Sequence, residues 1–296
     1  MERLAGKEEV TKQSIRAYKR WKSLWHENAA HNKAVYTATQ SLIAKGAGKG
    51  VIIFGFGPSF SGNAKQVSSN NLHHQYDVIC VDKALKGCIE NKIIPNYVLV
   101  ADAQVSFEKY GTIAPELCKR ITLLATITAN YKWAEYWRAN GGTVQFIINK
   151  DGIRTHKVFS KYLDPNKGEC IQIPAASNVF NAAYVFATLV LKYSEVLLCG
   201  ADYSFKLKGT YYGDASKPVD TNWGVSKKYF TNHYTMLDVN NELVQVSHNM
   251  SFSARWLTDF INMLGQNRQN LTINCTGAGI LAIPNQAKIL EKEVNA

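Results

Sequence analysis

The sequence predicts an α/β fold, in which a mainly parallel sheet carries helices on both faces. Short apolar runs typical of buried strands alternate with helical segments along the chain. Glycines or acidic residues stand where several of these runs end, and parallel sheets bind ligands at that edge. With 296 residues, 46% of them hydrophobic, the chain can bury a large core. We expect an N-terminal helical segment at 1–48 and the sheet domain at 49–296.

The N-terminal segment is basic and rich in aromatic residues. Tyr18, Trp21 and Trp25 recur at helical spacing, and six lysines and arginines lie between Lys7 and Lys22. The segment is either a surface for nucleic acid or membranes, or a helix that packs its aromatic residues on the core. We favour packing, because no nucleic-acid motif follows. The formal net charge of +11 favours anionic partners in general.

A strand followed by a glycine-rich turn organises the rest of the chain. The apolar run Val51–Phe54 leads into Gly55-Phe56-Gly57-Pro58-Ser59. The glycines allow a tight turn close to a ligand, and Ser59 is suited to cap the next helix. Because the start of a helix binds anions, the turn is either a phosphate cradle or a plain tight turn. The glycines at 46–50 are not a P-loop, since they precede the strand and lack the G-x-x-x-x-G-K-[ST] order.

The remaining strands and helices alternate. Strands are predicted at 77–81, 96–100, 121–125, 144–148, 170–174, 195–200 and 271–274. Helices are predicted at 84–91, 133–139, 176–193 and 252–264 and from Pro284 onward, with Ser177 or Asn178 as the N-cap of the third. Asp82, Asp102 and Asp202 each follow a predicted strand, so we expect these aspartates at one edge of the sheet.

Two further stretches are candidates for function. Residues 206–235 are rich in Gly, Lys, Tyr and Asn and too long for a simple connection, which predicts a lid or an acceptor loop. His248 precedes an amphipathic helix, and imidazole titrates near neutral pH, as a general base must. His156, beside Arg154 and Lys157, is the rival candidate.

Other features argue against several classes of protein. The six cysteines are scattered without a C-x-x-C pair, which disfavours a zinc site or a disulfide framework. No apolar run is long enough to span a bilayer, and the charged amino end lacks a signal-peptide core, so we expect a cytoplasmic protein. Phe60 replaces the third glycine of the dinucleotide motif, so neither NAD nor FAD is expected.

The order of the motifs resembles a known superfamily. It includes the motility-accessory-factor (Maf) flagellin glycosyltransferases and the archaeal 6-hydroxymethylpterin diphosphokinases (MptE-like), with the bacterial family 42 sialyltransferases more distantly similar. The resemblance rests on Gly55–Ser59, on Val81–Leu85 with Ala101–Gln104, and on Ala176–Val179 with Cys199–Tyr203. It implies a Rossmann-like fold, as a variant similar to the GT-A type.

The resemblance also implies site residues. Those implied to bind the nucleotide are Gly55, Gly57, Pro58, Ser59, Asp82, Asp102, Gln104, Ser177 and Asn178. Those implied in catalysis are His248 as the general base, Tyr211 and Tyr212 at the leaving phosphate, and Asp202. Asp82 stands where the sialyltransferases carry Asn, and its carboxylate would repel a phosphate unless a cation bridges them or the carboxylate binds a ribose hydroxyl. This departure favours a metal-assisted reaction, with Asp82, Asp102 and Asp202 as candidate Mg²⁺ ligands.

The predicted function is a nucleotide-dependent transferase without a tightly bound cofactor. The favoured reaction is a glycosyl transfer, in which a sugar, such as a sialic-acid-like nonulosonic acid, moves from a CMP donor to a hydroxyl acceptor. The first alternative is an ATP- and Mg²⁺-dependent diphosphokinase acting on a hydroxymethylpterin-like substrate. The second is a non-catalytic protein that binds nucleotides or nucleic acid, although nucleic acid is disfavoured as a partner. The acceptor and any homo-oligomer are left open.

Overall fold

A computed structural model describes residues 7–36, 41–150, 159–163, 171–176, 178–206 and 233–287. Its described strands are β1 (Gly50–Phe54), β2 (Asp77–Val81), β3 (Tyr97–Val100), β4 (Thr122–Thr126), β5 (Val144–Asn149), β6 (Ile171–Ile173), β7 (Glu195–Cys199), β8 (Phe205–Lys206), β9 (His233–Leu237), β10 (Leu243–Ser247) and β11 (Thr272–Asn274). Eight of them form one parallel sheet in the order β11-β7-β1-β2-β3-β4-β5-β6. The predicted α/β fold with a mainly parallel sheet is confirmed.

Helices cover this sheet. They are α1 (Lys7–Val35), α2 (Phe60–Ser69), α3 (Leu85–Glu90), α4 (Phe107–Tyr110), α5 (Pro115–Cys118), α6 (Tyr131–Ala139), α7 (Val179–Val185), α8 (His248–Met263) and α9 (Gln266–Asn270). Residues Val51–Phe54 of β1 are fully buried, as expected when both faces of a parallel sheet are covered. Asn178 caps α7, because its Oδ1 accepts from the N–H groups of Phe180 and Asn181. Ser177, the other predicted cap, lies outside the described residues.

The order of the strands reverses beside β1. Strands β1 to β6 follow one another outward on one side, and β7 then returns to the other side of β1. In open α/β sheets, ligands bind where the strand order reverses, beyond the carboxyl ends of the strands. Here the turn after β1, Gly55–Ser59, and the residues after β7, Gly200–Asp202, meet at that position.

A small antiparallel sheet, in the order β8-β10-β9, follows β7. Lys206 of β8 pairs with Val244, and His233 of β9 pairs with Ser247. The predicted lid, 206–235, therefore starts in β8 and ends in β9, two strands that were not predicted from the sequence. Its central part, 207–232, lies outside the described residues.

Helix α1 packs against the sheet domain, as the favoured interpretation of the basic segment predicts. Ala29 is fully buried, and Tyr36, which directly follows the helix, is 5% exposed; both belong to the same hydrophobic core as the strands. Tyr18 and Trp25 are partly buried against that core. Two buried asparagines, Asn28 and Asn32, reach carbonyl groups just beyond β3 and β4.

The carboxyl-terminal prediction is wrong in one respect. Residues 284–287 do not begin a helix, because Gln286 forms a parallel bridge to Asn274 and Ala287 donates its N–H to the Asn274 carbonyl. The chain therefore pairs its backbone with the edge strand β11 at this point. Among the described residues, none of the helices combines the length and apolar character needed to cross a bilayer.

Candidate functional site

Two cavities open at the carboxyl edge of the parallel sheet and share one wall. The smaller, of about 150 Å³, lies at the strand-order reversal and is lined by residues that include Gly55, Phe56, Gly57, Gly200, Ala201 and Tyr203. The larger, of about 520 Å³, runs along the ends of β2 to β6 and beneath α1. Asp82, Lys83, Asn178 and Val179 line both cavities. The structure thus brings the turn and Asp82 together, as predicted.

The glycine turn is held by the chain after β7. Gly55 donates its N–H to the Cys199 carbonyl at 2.8 Å, and Gly57 donates to the Gly200 carbonyl at 3.0 Å. A Cβ on Gly57 would collide with the carboxylate of Asp202. Glycine is therefore required at position 57 by the close approach of Asp202. The N–H groups of Gly55 and Gly57 are engaged within the protein.

Asp202 lies at the amino end of α2. Its Oδ2 accepts the Ser59 hydroxyl at 2.7 Å, and both carboxylate oxygens are 3.3 Å from the Ser59 nitrogen. The helix dipole favours a negative charge at this position. Asp202 is 2% exposed, and burial raises its pKa to about 6, against the hydrogen bonds from Ser59. Ser59 does not cap α2 through its side chain, contrary to the prediction, because its hydroxyl is directed to Asp202.

Asp82 and Lys83 form the charged part of the shared wall. Asp82 is 3% exposed, and burial raises its pKa to about 6, opposed by the charge and the backbone N–H of Lys83. That N–H donates to Asp82 Oδ1 at 2.7 Å. Burial lowers the pKa of the Lys83 ammonium group to about 8, while Asp82 and Asp102 act in the opposite direction. Lys83 belongs to the Val81–Leu85 motif but was not predicted as a site residue. Its position directly after a strand-end aspartate is the feature of the sequence that could have identified it.

Asp102 and Gln104 lie farther along the same edge. Asp102 is exposed, lines the larger cavity and accepts the N–H of Gln104 at 2.9 Å. Gln104 is exposed and lines neither cavity, while Pro58 is buried in the turn.

His248 begins α8 and lines neither cavity. Its side chain is exposed, and its ring centroid is 5.3 Å from that of Tyr234. The next two residues do reach the cavities: Asn249 lines the larger and Met250 the smaller. Four predicted residues lie outside the described part of the chain: His156, Ser177, Tyr211 and Tyr212.

The three aspartates predicted as Mg²⁺ ligands do not converge. In the described residues, no group of three or more His, Cys, Asp or Glu side chains is arranged to hold a metal ion. The reason is the strand order: β7 and β2 lie on opposite sides of β1, so their ends are about 10 Å apart. Asp202 is bound to Ser59, and the ends of the adjacent strands β2 and β3 carry Asp82 and Asp102.

Comparison with known proteins agrees with this architecture. The Maf glycosyltransferase of Magnetospirillum magneticum AMB-1 superposes with a TM-score of 0.59 at 15% sequence identity, over 94% of this chain and 42% of that protein. The chain thus spans less than half the length of that protein, and the likeness shows a shared Rossmann-like fold. No curated protein matches the sequence. A family model does match, over residues 24–208, and the chain accordingly belongs to the 6-hydroxymethylpterin diphosphokinase MptE-like family.

Proposed function

We propose that the protein is a nucleotide-dependent glycosyltransferase that moves a sugar from a nucleotide donor onto a hydroxyl acceptor. The observation that carries the proposal is the pair of cavities sharing Asp82 and Lys83. Group transfer requires two substrates to meet with their reacting atoms about 3–3.5 Å apart. Two neighbouring cavities with a common charged wall fit that requirement.

The donor phosphate is assigned to the smaller cavity, near Lys83. At 150 Å³ this cavity is below the size that encloses a whole ligand, so it takes only part of the donor. Because the N–H groups of Gly55 and Gly57 are engaged within the protein, they supply shape to the cavity, and the Lys83 ammonium group supplies the neutralising charge. In this proposal Asp202 is a positioning residue that fixes the turn through Ser59.

The remaining predicted roles stay part of the proposal. His248 is the proposed general base, because it begins the helix whose next two residues line the cavities. Tyr211 and Tyr212 are proposed at the leaving phosphate. Mg²⁺ would be held by Asp82 and Asp102, with phosphate oxygens and water completing its shell, and it would neutralise charge on the leaving group.

A second candidate is phosphoryl transfer from ATP. The family description favours this reaction. The residues Asp82, Asp102 and Lys83 favour it as well, because two carboxylates and a lysine are the kind of side chains that bind Mg²⁺–ATP. The reaction would then be a diphosphokinase acting on a hydroxymethylpterin-like alcohol.

A ligand panel separates the two candidates. Thermal shifts of the full chain are measured with CMP, CDP, UDP, ATP and GTP, each with and without Mg²⁺. A shift that is specific to CMP, CDP or UDP supports glycosyl transfer, whereas an ATP shift that needs Mg²⁺ supports the second candidate. The absence of a shift with all five nucleotides would reject both.

Variants at the shared wall test the assignment of the site. Lys83→Met should weaken nucleotide binding about 10- to 100-fold, because one charge-assisted hydrogen bond is lost from a buried site. Lys86→Met, on the next turn of the same segment and outside both cavities, is the matched control.

His248→Ala should abolish turnover with little effect on nucleotide affinity, and persisting turnover would exclude His248 as the general base.

A further inference from the structure

We propose that the larger cavity, called here the α1 cavity, is the acceptor site, and that it takes an alcohol carried on an aliphatic or carbocyclic aromatic body. The inference rests on the proposed transferase function and adds the chemical class of its acceptor. It also gives helix α1 a direct part in the site, through Trp21 and Trp25.

The distribution of charge in the α1 cavity supports the assignment. Among the described residues that line it, Asp82, Lys83 and Asp102 are the charged ones, and all three follow β2 or β3. The other end of the cavity contains no charged side chain from the described residues. An acceptor with one polar end and an apolar body matches this arrangement, with its hydroxyl directed to the shared wall.

The walls of the α1 cavity carry aromatic and aliphatic side chains on both sides, with Ser14, Thr128 and Asn149 among them. Helix α1 contributes Trp21 and Trp25, next to Phe159, and the sheet contributes Ile127, Ile147 and Ile173. The Trp25 and Phe159 rings meet edge to face, with centroids 5.7 Å apart. Aromatic faces favour stacking of an apolar ring. An apolar ring or chain gains contact with these side chains, whereas a sugar or a phosphate must exchange more of its water for the few polar groups of the walls.

Several polar groups of the cavity are already used by the fold. The Thr126 hydroxyl donates to the Ala101 carbonyl at 3.0 Å, and Asn178 caps α7. In this proposal the ligand hydroxyl is recognised at the charged wall of Asp82 and Lys83. At 520 Å³, the α1 cavity lies within the range of sites that enclose a small organic ligand.

The probe for the experiment is 2-naphthylmethanol, with glucose as the polar comparator. Binding to the full chain is measured by saturation-transfer difference NMR and calorimetry, which need no turnover. Wild type should bind the naphthyl alcohol and not glucose. Trp21→Ala and Trp25→Ala should each weaken binding at least about fivefold, because one aromatic wall is lost. The matched control, Tyr97→Ala, removes a half-buried aromatic residue at the amino end of β3 that lies outside both cavities.

A cavity-filling variant keeps the experiment interpretable if the tryptophan variants misfold. Ala17→Leu keeps both tryptophans, suits a helix and reduces the volume of the α1 cavity, so it should also weaken binding. Equal affinity of wild type, the tryptophan variants and Ala17→Leu would overturn the inference, as would preferred binding of glucose. Competition between a bound nucleotide and the naphthyl alcohol would place the donor in the α1 cavity and would also overturn it. Failure of the alcohol to bind while a nucleotide binds rejects the acceptor assignment alone, whereas failure of every nucleotide rejects the proposed function.

Discussion

Asp82 and Asp202 are enclosed carboxylates at the edge of the sheet. They are 3% and 2% exposed, and burial raises the pKa of each to about 6. An ionised carboxylate at such a position costs stability, because the protein replaces its hydration only in part. A residue that lowers stability and lies in a cavity wall is typical of a functional site. Asp82 fits this description, since it lines both cavities.

The pKa of Asp82 predicts a pH-dependent stability. Between its ordinary value of 3.8 and about 6, the folded state binds more protons than the unfolded state, so stability falls as pH rises through this window. Asn cannot ionise, so Asp82→Asn should gain stability relative to wild type from pH 4 to pH 7. The expected gain is about 2–3 kcal/mol. Urea unfolding of both proteins at pH 4, 5, 6 and 7 measures it.

The control for this experiment is Glu116→Gln, which changes an exposed carboxylate at the start of α5. It should leave the pH dependence of unfolding unchanged. If Asp82→Asn and wild type lose stability in parallel between pH 4 and pH 7, the proposed cost of ionising Asp82 is incorrect.

At the residue scale, the sequence predicted which aspartates end strands but not what they contact. Asp82, Asp102 and Asp202 were recognised because each directly follows an apolar run. The bond between Asp202 and Ser59 joins residues 143 positions apart. It exists because β7 returns beside β1, and no local pattern specifies that return.

The turn between β1 and α2 is the element on which the smaller cavity depends. Its path is set by two strands, since Gly55 and Gly57 donate to the carbonyls of Cys199 and Gly200. Gly200 is also in the left-handed region, with φ of 64°, and its carbonyl would collide with a Cβ on Gly55. The segments around Gly55 and Gly200 therefore contact each other through their backbones. This close contact requires glycine at both positions whether or not a ligand is bound.

Two glycines of this element should respond in opposite directions to alanine. Gly57→Ala places a methyl group against Asp202, so it should destabilise by about 1–3 kcal/mol and weaken nucleotide binding. Gly62→Ala, inside α2, meets no atom within 4 Å and should stabilise by about 0.5–1 kcal/mol, because alanine favours a helix. Denaturant unfolding and a nucleotide thermal shift measure both effects. A stable Gly57→Ala protein with normal nucleotide affinity would show that the close packing of Asp202 is not needed.

At the scale of elements, the sequence predicted the strands of the parallel sheet and missed those of the small antiparallel sheet. Strands such as β1 and β2 contain continuous apolar runs, Val51–Phe54 and Val78–Val81, which are recognisable without structural context. In β9 and β10, Leu237 and Leu243 are 53% and 55% exposed, which weakens the apolar signal. Val244 and Val246 of β10 are nevertheless buried, so the alternation typical of a half-buried strand was present in the sequence and was overlooked. The helix predicted from Pro284 onward does not begin at 284–287, because pairing of this segment with β11 outweighs its local propensity.

In the whole molecule, helix α1 and the sheet enclose the α1 cavity between them. The helix is fixed at its carboxyl-terminal half, where Asn28 and Asn32 reach the segments after β3 and β4. Its earlier turns cover the cavity through Trp21 and Trp25. The sequence predicted that these aromatic residues pack inward. The cavity itself is built from residues between 14 and 249, and only the tertiary fold determines its presence.

The attachment of α1 gives a final prediction. Asn32 is 1% exposed, and its side-chain amide donates to the carbonyls of Ile127 and Ala129 at 2.9 Å each. Asn32→Ala removes both bonds from a buried position and should lower the free energy of unfolding by about 1–3 kcal/mol. Lys33→Ala, on the exposed side of the same turn, should change it by less than about 0.5 kcal/mol.

Hydrogen exchange then locates the effect within the molecule. If Asn32 joins the helix to the sheet, Asn32→Ala should speed exchange of the α1 amides and loosen binding in the α1 cavity, because the wall formed by Trp21 and Trp25 loses its anchor. The amides of β1, at the centre of the sheet, should follow only the global loss of stability. Equal acceleration throughout the chain, with unchanged binding of the naphthyl alcohol, would mean that Asn32 supports the fold as a whole and has no specific part in holding α1 over the cavity.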